Sequence, residues 1–523
     1  MYALLGVLVV LFIVLLCIRI VWKYIETRRL FMMFGIENNQ ESFSQINKEY
    51  YKKIKDPEFN EQTLYDLEIN KVFDKINRTY SDVGREYLYG RFFKQTHDSL
   101  FEEVIKRLNH KDILKKVIYN LYNLSKHYNE SLALFQYVDF LSKPELIFII
   151  GMGFVPIILI LLFFVGSGFA LSLLFMWIGL QSLIYTHYAK KTNNVLKQAF
   201  SYCHIVYTLN QFVKEGVFDQ DVSQKLKTMI HKSYKYTHIY RICMKIEKID
   251  VFYFMELVYA LFPLTFIQCY ILYKHKDKLE EDYIKMYEYV GLVDLAVSTL
   301  SLRTEYQYCI PQVSTKEEVM FQNIYHPILK EPVKNTMQLS QSCMITGSNA
   351  SGKSTFIKTV GFNMVMAKTI HTCFADSFTY HPYTICTSIH MKDEIGDGDS
   401  YYVKEIKVLK GIIDKVKEGK CLVLIDEILK GTNEKERLMI ARAVLNFLFH
   451  QQSLVIITTH DVSLVEHFQD IHQYSFHDSV EDGKLECDYL IKKGVCYVGN
   501  AIKLLEVYGF DQVILDELHD KSL

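Results

Sequence analysis

The cysteines of this chain form no local pairs. There are 11, an odd number, and no C-x-x-C occurs among them. That excludes a disulfide framework and a thiolate zinc site, and reads as reduced, intracellular usage. An excess of one charge is also lacking, with 59 Lys and Arg against 60 Asp and Glu for a net charge of −1. This balance excludes an electrostatic footprint for nucleic acid over the whole chain and leaves open only a local basic face. The 18 histidines show no metal-ligand spacing, and no internal repeat or low-complexity tract occurs. What is present is length: 523 residues are enough for more than one domain and a large core.

The most informative stretch is residues 346–355, TGSNASGKST. Gly347, Gly352, Lys353 and Ser354 stand where the phosphate-loop pattern G-x-x-x-x-G-K-[ST] requires them. The glycines let the backbone curl so that several N–H groups of Gly347, Ser348, Asn349, Ala350, Ser351 and Gly352 face one phosphate chain. Lys353 brings a point charge to the β- and γ-phosphates, the Ser354 hydroxyl can ligate Mg²⁺, and Thr355 completes the motif. A short strand before the loop and a helix over 356–368, whose N-terminus favours an anion, supply the context this motif needs. From residue 321 onward, short apolar strands at 344–345, 422–425 and 454–458 alternate with helices at 356–368, 402–416 and 434–449. That alternation predicts a parallel α/β nucleotide-binding domain.

Two more stretches fit around the loop. Residues 421–427, CLVLIDE, read as a buried strand ending in a Mg²⁺-shell carboxylate, Asp426, and a carboxylate that polarises the attacking water, Glu427. Residues 454–461, LVIITTHD, read as a strand that sets His460 near the γ-phosphate. Residues 396–405, GDGDSYYVKE, start a helix at Ser400. Taken alone, the residues favour a simple N-cap there.

The N-terminal half carries uncharged runs. Residues 2–18 lack charge, and Arg19, Lys23, Arg28 and Arg29 follow. About 20 residues cross a bilayer, and Arg19 can snorkel to its edge. A cleaved signal peptide needs its charge before the run and a small-residue site after it, and neither is present. The pattern predicts an uncleaved anchor with the following chain in the cytoplasm. Residues 146–185 form a second uncharged run, broken at Gly166-Ser167-Gly168 and followed by Lys190 and Lys191. We expect a transmembrane hairpin, with Trp177 and Tyr185 at its interface, over the competing reading of two buried core helices. Residues 257–273 are uncharged as well. A fourth span there would put the phosphate loop outside, so a buried core helix is expected. The polar stretches between these runs read as helical, with Leu64, Leu67, Ile69, Val72, Phe73 and Ile76 on a core-facing period.

Together these residues resemble the MutS family of DNA mismatch repair ATPases. Residues 345–355 resemble its phosphate loop. SYYVKEI at 400–406 resembles its signature S-T-F-M-x-E-M through Ser400 and Glu405. LVLIDEILKGTN at 422–433 resembles its D-E-x-x-x-G-T segment through Asp426, Glu427, Gly431 and Thr432, and Thr459-His460 matches its T-H. YHPIL at 325–329 is similar to the R-H-P segment that opens the domain, and Thr79, Gly84, Arg85 and Leu88 match a helical-core segment. Only residues 24–145 separate the first run from the hairpin, which leaves no room for the family's mismatch-reading and connector domains. A hairpin lies within the core where the family inserts a DNA-gripping clamp. The chain therefore resembles a shortened, membrane-anchored branch.

The expected fold is α + α/β, a helical core with transmembrane segments followed by a C-terminal phosphate-loop ATPase domain of MutS/ABC type. The expected divisions are 1–23, 24–145, 146–188, 189–315 and 316–523. The resemblance implies ATP and Mg²⁺ as cofactors and a homodimer with two composite sites, each taking Ser400 from the opposite subunit. The uncharged runs and the basic residues that follow them predict a multi-pass protein of the cell membrane with its ATPase domain in the cytoplasm. Two functions stay open, a tethered DNA-binding ATPase and an ATP-driven membrane switch acting on a protein partner. Half of an ABC transporter fits less well, with three spans and no Ser-Gly-Gly-Gln signature.

Overall fold

The computed structural model describes residues 2–35, 49–52, 54, 61–94, 99–127, 140–166, 168–247, 262–348, 351–389, 401–429, 434–481, 484–497, 505, 508–511 and 514–515. A helical half leads into an α/β half at Glu305, the last residue of the long helix Lys276–Glu305.

That long helix is the spine of the helical half. Against it packs the helix Asp82–Phe93, whose first turn is capped by Ser81 Oγ accepting from Gly84 N at 3.2 Å. Asp294 of the long helix fixes the same helix start. Its carboxylate accepts from Tyr80 N and Ser81 N, each at 2.8 Å, and from Ser81 Oγ at 2.6 Å. Burial pushes the Asp294 carboxyl up to about 7, against the pull of these three hydrogen bonds. All six periodic residues from Leu64 to Ile76 are buried. Leu64 lies on the helix Glu61–Asp66, Ile69, Val72, Phe73 and Ile76 on the helix Ile69–Ile76, and Leu67 in the turn between them beside Glu68 at φ 54°. The core face was legible from the period, and the break was not.

The apolar run at 146–185 is built as two antiparallel arms. Lys143–Met152 and Val155–Phe164 form the first, interrupted where Gly153 and Pro156 weaken helix continuation, and Gly168–Lys191 forms the second. Both arms are long and apolar enough to cross a membrane. Leu161, Phe164, Phe169 and Phe175 point outward, each more than half exposed. An ion pair closes the base, Lys191 Nζ to Glu145 Oε1 at 2.6 Å, and Glu145 also accepts from Ser142 N and Oγ. The uncharged run at 2–18 lies on one continuous helix, Tyr2–Met32. The side chains of residues 2–13, 15 and 16 lie outside the described set. Of 257–273, the helix Leu264–Lys274 is described. It buries Phe266, Gln268, Cys269 and Leu272, as expected of a core helix. Gln268 is reconciled with burial by donating to Tyr236 O at 2.5 Å and accepting from Tyr240 N at 3.2 Å.

The α/β half has twelve strands in the described residues. They are β1 (Gln312–Val313), β2 (Val319–Ile324), β3 (Asn335–Leu339), β4 (Cys343–Thr346), β5 (Ser377–Tyr380), β6 (Thr384–Ser388), β7 (Cys421–Asp426), β8 (Leu454–Thr459), β9 (His472–Ser475), β10 (Asp478–Glu481), β11 (Lys484–Cys487) and β12 (Lys492–Lys493). The central sheet runs β12-β9-β4-β8-β7-β6, parallel throughout except for β12. The expected parallel sheet is therefore present, with one antiparallel edge strand. A second, mostly antiparallel sheet runs β1-β5-β2-β3, and β10 and β11 form a hairpin. Half-buried strands such as β3, which alternates buried Asn335, Met337 and Leu339 with exposed Thr336 and Gln338, carry no long apolar run to announce them.

Polar contacts tie the two halves together. Arg303 pairs with Glu102 at 2.6 Å and donates to His371 O and Thr372 Oγ1. Arg91 donates to Thr369 O, Lys358 pairs with Glu68 at 3.1 Å, and Asp66 accepts from Ile389 N at the end of β6.

Candidate functional site

β4, β8 and β7 are neighbours in the central sheet and end at the same edge, with Thr346 opposite Thr459 and Asp426 opposite Thr458. In open parallel sheets, the carboxyl ends of the strands are where ligands bind. All four β4 residues and all six of β7 and of β8 are buried, so these ends are rigidly set.

The chain leaves β4 into the loop. Gly347 has φ 142° and Gly352 φ 101°, and a Cβ on either would collide, at Gly347 with Phe476 O at 2.6 Å and at Gly352 with the Tyr489 ring at 2.9 Å. The glycines thus keep open a concave backbone that any side chain would fill. Ser348 Oγ donates to Asp478 Oδ2 at 2.9 Å and Ser351 Oγ donates to Ser348 O at 2.8 Å, pinning the curl. The helix Lys353–Ile370 then begins with Gly352 as its N-cap, aiming its first N–H groups into the loop. The Lys353 side chain is buried, and its ammonium donates to Gly347 O and Ser348 O, both at 2.6 Å. Ser354 is half-buried and Thr355 exposed on the first turn. Asn349 and Ala350 lie outside the described residues.

Across the sheet edge, buried Asp426 accepts a hydrogen bond from Thr458 Oγ1. Thr458 was not singled out by its sequence. Only the register between β7 and β8 gives it this role. Glu427, the next residue, sits at φ 61° and donates its N–H to Thr458 O at 3.0 Å. A left-handed glutamate at a strand end is a strained position, here fixed by the neighbouring strand. Its carboxylate meets His460 at 2.8 Å, with Nδ1–H donating to Oε1. Asp461 caps the helix Val462–His467 and pairs with Arg437 at 3.1 Å, which holds the turn carrying His460. The two groups expected on separate strands therefore act as one pair. The Ser400 position lies outside the described residues, as do Gly431 and Thr432. The helix Tyr401–Glu418 follows directly after Ser400, and Glu405 is buried on it.

Beside the loop opens a cavity of about 340 Å³, between the phosphate-loop helix and the second sheet. His326, Leu329, Val333, Asn335, Thr355 and Tyr489 contribute to its wall. Burial holds His326 well below the usual imidazole range, at about 4, so its ring is neutral. Asn335 clamps the far wall, donating to Tyr489 O at 3.0 Å and accepting from Ile491 N at 2.8 Å. Tyr489 itself has φ 54°. Neither Asn335 nor Tyr489 could be found from sequence, because they are 154 positions apart and meet only in the fold.

The donor set fits a magnesium nucleotide. A backbone cradle with a lysine ammonium held against its carbonyls suits phosphates. A serine hydroxyl on the first helical turn, with a buried aspartate at the adjacent strand end, suits a hard cation that keeps several waters.

Residues 343–522 match the MutS domain V family. Over 241 residues, 44% of this chain, the sequence is 26% identical to the endonuclease MutS2 of Streptococcus pneumoniae serotype 19F (strain G54). The same identity holds for the endonuclease MutS2 of strains Hungary19A-6 and CGSP14. The matched stretch spans only 30% of the length of those relatives. The C-terminal α/β half, which follows a helical region, is thus similar to the MutS domain V family over residues 343–522.

Proposed function

We propose that this chain is a membrane-held ATPase that hydrolyses Mg-ATP at sites shared between two copies, and uses the resulting closure to move its helical half. The observation that carries the reading is the convergence at one sheet edge of the Lys353 cradle, Asp426 and the Glu427–His460 pair. Gly347 to Thr355 bind the phosphates. Ser354 and Asp426 hold Mg²⁺, which when bound neutralises developing charge on the phosphate oxygens. Glu427 accepts a proton from the attacking water, and the hydrogen bond from His460 Nδ1 holds that carboxylate in place. The 340 Å³ cavity takes the base and sugar, with the Tyr489 ring as a stacking face. The exposed apolar faces of the two arms and the helix Tyr2–Met32 hold the protein in the membrane, with the ATPase domain in the cytoplasm.

The shared site is tested by mixing subunits. Ser400 acts on the γ-phosphate held by the opposite copy, so Lys353→Ala and Ser400→Ala are each nearly inactive alone. A mixed dimer has one site with both defects and one with neither. Random pairing should restore activity toward about a quarter of wild type if sites act independently. No recovery, with mixed dimers shown to form, would confine the chemistry to a single chain.

A second reading is favoured by the relatives, whose name is endonuclease MutS2: the closing helical half grips DNA. The balanced charge of the chain argues against it. A salt titration of DNA binding by the detergent-purified protein decides, since phosphate contacts give a steep dependence on salt. Binding that is absent at low salt removes this reading.

A further inference from the structure

A polar cavity of about 500 Å³, separate from the candidate nucleotide site, lies in the helical half between three helices, Tyr2–Met32, Lys111–His127 and Asn193–Lys214. Arg19, Lys23 and Thr27 line one wall at a spacing of four, so a single stripe of the first helix faces the cavity. Lys116 faces them from the second helix, and its ammonium pairs with Glu215 at 2.6 Å. Glu215 is the one carboxylate among the lining residues, against three permanent cations, so the wall carries a net positive charge. Lys23 lies over the Tyr119 ring at 4.8 Å, which orients its charge without neutralising it. Apart from Leu124, groups able to hydrogen-bond make up the rest of the lining, including Asn120, Asn123, Tyr207 and Gln211.

The position of this cavity is as telling as its lining. Arg19 is the first charged residue after the uncharged run 2–18 and continues the same helix. Exposed Val14, Ile18 and Trp22 flank it. An arginine, a lysine and several amides around a space larger than one phosphate, at the polar end of an apolar helix, match a phosphate ester with a polar substituent. Apolar chains attached to such an ester would continue along the exposed face of the helix.

We propose that this cavity binds a phosphate monoester or diester, with Arg19 and Lys23 as the principal anion ligands, and that its occupant is the headgroup of an anionic phospholipid. A soluble phosphoester shares the same chemistry, and the experiment separates the two. Only the choice between these sources rests on the membrane reading above.

The full chain, in neutral detergent, is analysed by native mass spectrometry with phosphatidylglycerol, with phosphatidylcholine, and with inorganic phosphate or glycerol 3-phosphate as competitors. The wild type should retain phosphatidylglycerol over phosphatidylcholine. The R19Q/K23Q double variant should retain it at least about tenfold less, a difference near 1.4 kcal/mol. R19K/K23R, which keeps both charges, should bind close to wild type and guards against misfolding of the neutral variant, as does an unchanged elution volume. Displacement of the lipid by millimolar glycerol 3-phosphate, with direct binding of that ester, assigns the cavity to a soluble phosphoester. Equal retention of both lipids, or equal binding by wild type and R19Q/K23Q, overturns the proposal. Alkaline carbonate extraction of membranes judges the membrane reading separately. A protein released by carbonate loses its lipid source, and the phosphoester arm alone then decides for or against the cavity.

Discussion

The strand β7 and the helix Val155–Phe164 draw on the same residues, and the fold turns them in opposite directions. In β7, CLVLID, every residue is buried. In the helix, VPIILILLFF, only Pro156 is. The difference lies in what each element is for. A strand packed on both faces cannot shift, so the carboxylates at its end are held where chemistry needs them. A helix that leaves Ile157, Ile158 and Leu161 outward presents an uncovered apolar surface, which on the reading proposed above faces the membrane. Apolar content alone does not distinguish these uses. Length and the flanking charges do.

The sharpest way to test the positional role of β7 is at its end. Glu427→Gln keeps shape and loses the carboxylate proposed to take the proton, so turnover should fall by about 10²–10⁴ while ATP binding persists. Single-turnover hydrolysis with a parallel nucleotide-binding measurement checks this. Normal turnover would remove Glu427 from the chemistry.

The comparison itself is broken or upheld by a matched pair of truncations. Leu424, fully buried in β7, and Leu161, about 60% exposed on the helix, both become Ala. Leu424→Ala should cost about 2–5 kcal/mol through the cavity it leaves. Leu161→Ala should stay within about 0.5 kcal/mol in detergent. Thermal melts of the two variants give the answer, and equal losses would mean that the arm is packed as a core.

A smaller effect is expected at Tyr489. Removing an aromatic face from a base costs about 1–3 kcal/mol, so Tyr489→Ala should weaken ATP binding by about 5–150-fold and leave triphosphate binding nearly unchanged. Competition with a fluorescent nucleotide measures both.

The smallest effect concerns the buried carboxyl of the helical half. Asp294 has a folded value of about 7, raised from 3.8, so the folded state holds a proton that the unfolded state has lost between about pH 4 and pH 7. Stability therefore falls as pH rises through that window and levels off above it. Asp294→Asn, which cannot ionise, should flatten this slope. Melting temperatures from pH 5 to pH 8 for both proteins test it, and identical slopes would return Asp294 to an ordinary ionised cap.

Much of the nucleotide site was legible because its signals are local. The phosphate loop, Asp426-Glu427 and His460 each sit at the end of a short apolar run that alternates with helical patterns, and such runs form the strands of a parallel sheet. What escaped depends on partners distant in sequence. Thr458 matters through its register with Asp426, 32 positions away. Tyr489 matters through Asn335, and the second sheet through alternating strands too short to stand out. In the helical half the periodic residues marked the core correctly, while the polar ties, Asp294 to Ser81 and Arg303 to Glu102, span about two hundred positions and leave no local trace.

Those long ties set an order of events during synthesis. Ser81 and Asp294 are 213 positions apart. At roughly 5–20 residues per second, the ribosome needs roughly 10–40 s to deliver the second after the first. During that interval the helix Asp82–Phe93 has emerged without the spine it packs on, and the apolar arms at 143–191 are made in between. The first half of the core must therefore wait, its aromatic face uncovered, until the arms have found their place and the long helix arrives. A nascent chain paused before residue 294 should be far more dependent on chaperones, and far more open to proteases around Tyr87, which packs on Gly291 of the long helix, than one released only a few dozen residues later.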